Sequence, residues 1–349
     1  MTAIRASNLW RFYDGAPAVR GLDLAVERGS AYGFIGPNGA GKSTTLRMLA
    51  TLDRPDAGRV WLEGRDVQRD LRGARRRLGF MPDPFALYDE LTVEDHLLLF
   101  AQTYGLPPSA RRRAVDRAIE LTRTQEVRAR RCGALSKGWR QRALLARTLV
   151  HDPPVLLLDE PASGLDPAAR IEFREVVRAL RELGKAIVVS SHILTELSDF
   201  CDSVGIIQQG RMLVSGRIDD ILRRLDPNEQ VQLDLPGDAA PARALLAAHP
   251  EVLEVRDGLG APPGTARLLA VLRGRATPEV RAALVRALVE GGCAPCGVSA
   301  TREGLEDLFL RVSAGSRGQD VRGASALRQV LDGDGGADRE GAPPAGAAR

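Results

Sequence analysis

One run of residues, Gly36-Pro37-Asn38-Gly39-Ala40-Gly41-Lys42-Ser43-Thr44, sets glycines beside a lysine and two hydroxyls. Glycines let successive backbone N–H groups converge on an anion, and a following helix adds its positive N-terminal end. Lys42 supplies a compact ammonium for terminal phosphates, which the planar fork of Arg would meet differently. The Ser43 hydroxyl suits a hard cation such as Mg2+. Lysine is scarce in this chain: Lys+Arg total 49, and only Lys42, Lys137 and Lys185 are lysine. The pattern, lying between an apolar strand and a helix, predicts a nucleoside triphosphate site built from Gly36 to Thr44.

Such a site needs an acid for the metal and a group that positions the attacking water. Val155-Leu-Leu-Leu158 ends in Asp159 and Glu160, which supply both: Asp159 for the metal shell, Glu160 as general base. Taken alone, two acids closing an apolar run are equally a strand running out into solvent. The phosphate loop upstream favours the chemical reading. His192, after the run Ala186-Ile-Val-Val189, is a second candidate, although a lone histidine is usually structural.

The elements that must position these groups follow from patterning. Short buried runs, Ala31 to Ile35, Val155 to Leu158 and Ala186 to Val189, alternate with amphipathic stretches such as Ser43 to Thr51 and Trp139 to Val150. That alternation predicts an α/β sheet with parallel strands. From Pro84 to Cys132 strand signals fade, which predicts a helical insertion with helices Val93 to Tyr104 and Ser109 to Thr122. After about Arg224 the order strand, helix, strand, strand, helix, strand predicts a small ferredoxin-like unit, closed by a helix over Glu303 to Val312. Beyond Ser313 apolar anchors vanish, and a disordered tail is expected. The expected domains are 1–222, with a helical subdomain at about 84–150, then 223–313 and the tail 314–349. A length of 349 residues with 44% hydrophobic content is ample for such cores.

The same numbers exclude several classes. The formal charge is +4 with 27% charged residues, no strong footprint for nucleic acid. No run approaches the roughly 18 apolar residues of a spanning helix, and the first residues lack the apolar core of a signal peptide. A chain that neither crosses a membrane nor is secreted is expected, and four cysteines are too few for a disulfide scaffold. Cys293-Ala-Pro-Cys296 has redox or metal spacing, but no second pair or histidine completes a set, so an incidental role is expected. The arginine runs at Arg75 to Arg77, Arg111 to Arg113 and Arg128 to Arg131 are interleaved with acids and read as solvated helix faces.

Ala134-Leu135-Ser136-Lys137-Gly138-Trp139-Arg140-Gln141-Arg142, just before the Asp159 strand, resembles the signature motif of ATP-binding cassette (ABC) proteins. Asp166 is similar to that family's D-loop aspartate, Ser190-Ser191-His192 to its switch histidine, and Tyr13 to its adenine-stacking aromatic. The resemblance covers about residues 1–220. A weaker one links the C-terminal unit, ending in Gly304-Leu-Glu-Asp-Leu-Phe-Leu310, to a domain appended to export-type members. It implies a P-loop NTPase, ABC-type α/β core with a helical insertion, then the small ferredoxin-like α+β domain and tail. It also implies ATP with Mg2+, catalysis by Glu160, His192 and Lys42, and Ser136 and Gly138 serving ATP held by the other subunit of a head-to-tail dimer, homo- or heterodimeric. The implied setting is the cytoplasmic face of the membrane, peripheral, beside a separate transmembrane permease; the alternative is a soluble ABC ATPase acting on ribosomes or DNA, a class whose double cassettes or long coiled coils this sequence does not show. No nucleic-acid partner is expected.

The chain departs from the family pattern at three places. Lys137 and Trp139 stand where Gly and Gln are usual in the signature. Asp83, in Leu78-Gly-Phe-Met-Pro82-Asp83, stands where a metal-contacting Gln is usual. A carboxylate accepts from a metal-bound water but cannot donate to it. Phe85, Leu87 and Tyr88 follow, in the stretch that docks a membrane subunit in family transporters; the competing reading makes them core of the insertion.

Overall fold

The computed structural model describes residues 1–301 apart from Phe85, 193–196, 198, 199, 226–228, 259 and 275. The helix predicted over Glu303 to Val312, the Gly304 to Leu310 motif and the tail lie outside the described residues. Two compact units divide the described chain, 1–218 and 219–301.

The first unit runs β1 (Thr2–Tyr13), β2 (Ala16–Glu27), β3 (Ala31–Ile35), α1 (Lys42–Leu49), β4 (Ala57–Leu62), β5 (Arg65–Asp66), α2 (Leu71–Arg76) and β6 (Leu78–Met81). It continues through α3 (Val93–Thr103), α4 (Pro108–Thr122), α5 (Lys137–Leu149), β7 (Val155–Leu158), α6 (Pro167–Glu182), β8 (Ala186–Ser191), β9 (Ser203–Gln208) and β10 (Arg211–Arg217). Every residue of β3, β7 and β8 is buried, as expected for central parallel strands covered on both faces. They lie in a six-stranded sheet of order β10-β9-β3-β8-β7-β6. β3 runs parallel to β8 and β9, and β7 runs parallel to β8 and β6. The loops leaving β3, β8, β7 and β6 therefore emerge along one edge, where open α/β sheets bind ligands.

Parallel strands are not the whole of it. A separate antiparallel sheet, β2-β1-β4-β5, forms at the N-terminal side, and β10 closes the main sheet antiparallel to β9. The alternation that marks such strands is broken in β1, where the pairing slips between Ala6 and Leu9 and Asn8 takes a positive φ of 49°. A bulge of that kind inverts the in-out phase midway and hides a strand from periodicity.

Helices α3, α4 and α5 form the insertion, with Leu97, Val115, Ile119 and Leu144 buried between them. Thr92 caps α3 by accepting from Asp95 N–H, and Pro108 opens α4 at a position where no N–H is needed. Within the insertion, His96 is buried, in ring contact with Tyr88 at 5.5 Å and Phe100 at 5.0 Å. Neither imidazole nitrogen finds a partner among the described residues.

The second unit runs α7 (Ile218–Leu225), β11 (Gln230–Pro236), α8 (Ala240–Ala247), β12 (Val252–Asp257), β13 (Thr265–Leu272), α9 (Pro278–Glu290) and β14 (Gly297–Thr301). Its antiparallel sheet has the order β12-β13-β11-β14, the ferredoxin-like arrangement of the predicted βαββαβ succession. Val231, Leu233 and Leu235 meet Leu268, Ala270 and Leu272 together with helix residues Leu246, Leu284 and Leu288. Asp234 and Arg267 face each other across β11 and β13, joined at 2.6 Å. Cys293 and Cys296 are free thiols, with Cys296 donating to the Asp234 carbonyl.

Burial, with Arg147 nearby, lowers the His96 imidazole to about 4. The unfolded chain binds a proton near 6.5 and the folded chain does not, so stability falls as pH drops from about 6.5 towards 4. His96→Phe removes that liability. Its gain over wild type in urea unfolding is expected to grow by about 1–2 kcal/mol between about pH 8 and pH 5. A gain equal at both pH values contradicts the buried neutral imidazole.

Candidate functional site

The phosphate loop spans the gap between the end of β3 at Ile35 and the start of α1 at Lys42. Its backbone is pressed against its neighbours. A Cβ on Gly36 would collide with the Ile207 carbonyl, and one on Gly41 would sit 2.7 Å from the Ala18 carbonyl, at a φ of 105° closed to most residues. Gly210 N–H donates to the Ala40 carbonyl at 2.9 Å and fastens the loop to the β9–β10 turn. What remains is a cradle of bare backbone at a helix N-terminus, the form that accepts a polyphosphate.

Lys42 is buried at the base of this loop, where its ammonium donates to the Gly36 carbonyl at 2.7 Å. It also lies 3.4 Å from Glu160 Oε1, while His192 Nδ1 is 2.9 Å from Glu160 Oε2. Lys42, Glu160 and His192 thus form one continuous chain of contacts drawn from three loops. Glu160 sits in the left-handed region with φ 45°. That conformation costs a non-glycine residue about 1–3 kcal/mol and is typical of functional positions.

Asp159 is the first residue beyond β7, its N–H held by the Met81 carbonyl at 2.8 Å. Its carboxylate is buried and accepts from Ser190 Oγ at 2.6 Å, with the Ser43 hydroxyl near enough to influence its charge. Burial raises its pKa; the two hydroxyls oppose that, and the charges of Glu160 and Asp83 add to it. A buried carboxylate with the hydroxyl that follows Lys42 nearby is a donor set of hard oxygens, and it fits Mg2+. Asp83, exposed at the end of β6, lies close enough to act on Asp159 by charge.

The other expected residues occupy different ground. Tyr13 is exposed at the end of β1, its hydroxyl donating to Asp53 at 2.9 Å and its ring under the Arg11 guanidinium. Ser136, Gly138 and Asp166 form a separate cluster at the N-termini of α5 and α6. Ser136 stands at the cap position of α5 without using its hydroxyl as a cap. A Cβ on Gly138 would touch Ala169 and Leu165, so the two helix starts are packed closely. Asp166 caps α6 by accepting from Ala169 N–H at 2.9 Å. Of the departures, Lys137 lies over Gly164, and Trp139 carries the Arg142 guanidinium 3.8 Å above its ring. Leu87 is buried, so it belongs to the core of the insertion, whereas Tyr88 is 57% exposed; Phe85 lies outside the described residues.

Pattern reading gave Ser190 no chemical role. A partial signal was available: a hydroxyl closing the apolar run Ala186-Ile187-Val188-Val189, two residues before His192.

A family model described as ABC transporter matches residues 19–163. The daunorubicin resistance ATP-binding protein DrrA3 of Streptomyces coeruleorubidus is 33% identical over 317 residues, which are 90% of this chain and 97% of that protein. The probable multidrug ABC transporter ATP-binding protein YbhF of Escherichia coli is 36% identical over 229 residues, 66% of this chain; the chain spans 39% of that relative's length. A solved ATP binding subunit of an ABC transporter superposes with a TM-score of 0.58 at 31% identity, covering 64% of this chain and 92% of its own. With near full-length similarity to one relative and the phosphate-loop geometry in place, the chain belongs to the ABC transporter family of ATP-binding proteins.

Proposed function

We propose that this chain is the ATP-hydrolysing subunit of a multi-subunit exporter, driving a separate membrane permease through ATP-dependent dimerisation. The observation that carries this reading is the Lys42–Glu160–His192 chain beside the Asp159–Ser43 pair, on the ligand edge of a parallel sheet. The relatives' names supply the transport setting, and drug resistance points to export. No helix among the described residues is long and apolar enough to cross a membrane. The membrane path is assigned to the permease, with this chain peripheral on the cytoplasmic face.

In this reading, Gly36 to Thr44 wrap the triphosphate and Tyr13 stacks on adenine. The Lys42 ammonium exchanges its carboxylate partner for a terminal phosphate oxygen, which frees Glu160 to take a proton from the attacking water. His192 holds the other oxygen of Glu160 and aims it. Bound Mg2+ would neutralise charge on the phosphates, with Ser43 and Asp159 holding it and Asp83 facing its water shell. Ser136, Gly138 and Asp166 serve the nucleotide of a second copy or a related subunit, because one phosphate loop and one signature cluster per chain complete a site only in pairs. Tyr88 is the contact residue for the permease.

Glu160→Gln keeps the shape and removes the base. Turnover of ATP is expected to fall at least about 100-fold, with affinity in isothermal titration within about threefold, and an ATP-dependent dimer should persist on size exclusion. Turnover near wild type contradicts the assignment of the base. For Asp83→Gln, which restores an amide donor, nearly unchanged affinity and an altered turnover are expected. A large affinity change at fixed turnover contradicts a role for Asp83 in the metal's water shell.

A further inference from the structure

Ser190 is fully buried at the fifth position of β8. The register of β7 and β8 pairs Leu158 with Val189, which sets Ser190 level with the first residue beyond β7, Asp159. Its Oγ does two things at once. It donates to Asp159 Oδ1 at 2.6 Å and accepts the Glu160 N–H at 2.9 Å. A serine hydroxyl has one proton to give, and here that proton goes to the carboxylate while a lone pair receives the amide.

We propose that Ser190 is a positioning residue for hydrolysis, a single oxygen that locks the Asp159 carboxylate and the left-handed Glu160 backbone in one geometry. The proposal rests on the hydrolytic reading above. Glu160 reaches Lys42 and His192 only from a φ that glutamate seldom adopts. The amide that leads into that conformation is the one Ser190 holds. No other side chain joins the two acids through one atom among the described residues. Loss of the hydroxyl leaves a buried amide and a buried carboxylate oxygen each short of a partner, and both acids become free to turn away from the phosphate loop. Ser190 touches neither the phosphates nor the water, so it acts through Asp159 and Glu160.

The test is steady-state ATPase kinetics with isothermal titration of ATP on the full chain, comparing wild type with Ser190→Ala, Ser190→Thr, Glu160→Gln and the double variant Ser190→Ala with Glu160→Gln. In Ser190→Ala, kcat is expected to fall about tenfold or more and the Mg2+ concentration for half-maximal turnover to rise severalfold, while Kd for ATP stays within about twofold. Ser190→Thr should recover kcat to within about threefold, because Ser190 borders a cavity of about 250 Å³ that can take one methyl. The double variant should turn over no more than about twofold slower than Glu160→Gln, since one residue acts through the other. If the Ala chain does not fold, Ser190→Cys keeps the volume, weakens both bonds and carries the same expectation for kcat and Kd. Wild-type kcat and Mg2+ dependence in Ser190→Ala, or a loss that multiplies in full with Glu160→Gln, overturns the proposal. A Glu160→Gln chain as active as wild type overturns the hydrolytic reading and this one together; loss at Glu160 with none at Ser190 overturns this one alone.

Discussion

The Lys42 ammonium and the Glu160 carboxylate lie 3.4 Å apart with 6% and 13% of their side chains exposed. Withdrawing both charges from water costs more than their attraction returns unless further hydrogen bonds complete them. The Gly36 carbonyl completes the ammonium and His192 completes the carboxylate. Three loops must then arrive together, and the parallel register achieves this. Ile35 is level with Ser191, Val189 with Leu158, and Leu158 with Met81, so the phosphate loop, His192, the two acids and Asp83 leave the sheet side by side. Burial of β3, β7 and β8 on both faces is what keeps that register from slipping.

A site assembled this way stores tension that ligand exchange can use. Lys42 bonds to its own loop and to Glu160, so in the proposed function an incoming phosphate competes with internal partners. On that proposal, the competition releases a Glu160 already aimed by its left-handed backbone, and binding and readiness for hydrolysis would be linked through one side chain, the kind of differential interaction that an ATP-driven conformational cycle requires.

Much of this was legible in the residues. Glycine spacing, a rare lysine and two acids closing an apolar run identify the phosphate loop, Asp159 and Glu160 because each position is dictated by local chemistry. The buried runs marked β3, β7 and β8, and the strand-helix order after Arg224 exposed the second unit. Other features were hidden by physics that spans the chain. The pairing slip at Asn8 concealed β1 and with it the antiparallel sheet. Leu87 and Tyr88, adjacent in sequence, differ in fate: Leu87 is buried, whereas Tyr88 lays its ring on His96 yet stays largely exposed. The local pattern marks Ser190 only as a hydroxyl ending an apolar run; its partners, Asp159 and the Glu160 N–H, follow from the long-range pairing of β8 with β7.

The central claim is that this nucleotide site works for a membrane partner. The most direct test is to express a tagged Glu160→Gln chain in its native cell, solubilise membranes with ATP present, and identify what co-purifies. The account predicts a multi-span membrane protein in near-equal amount, retained with ATP. Recovery of ribosomal or DNA-associated proteins, with no membrane protein bound, would contradict it.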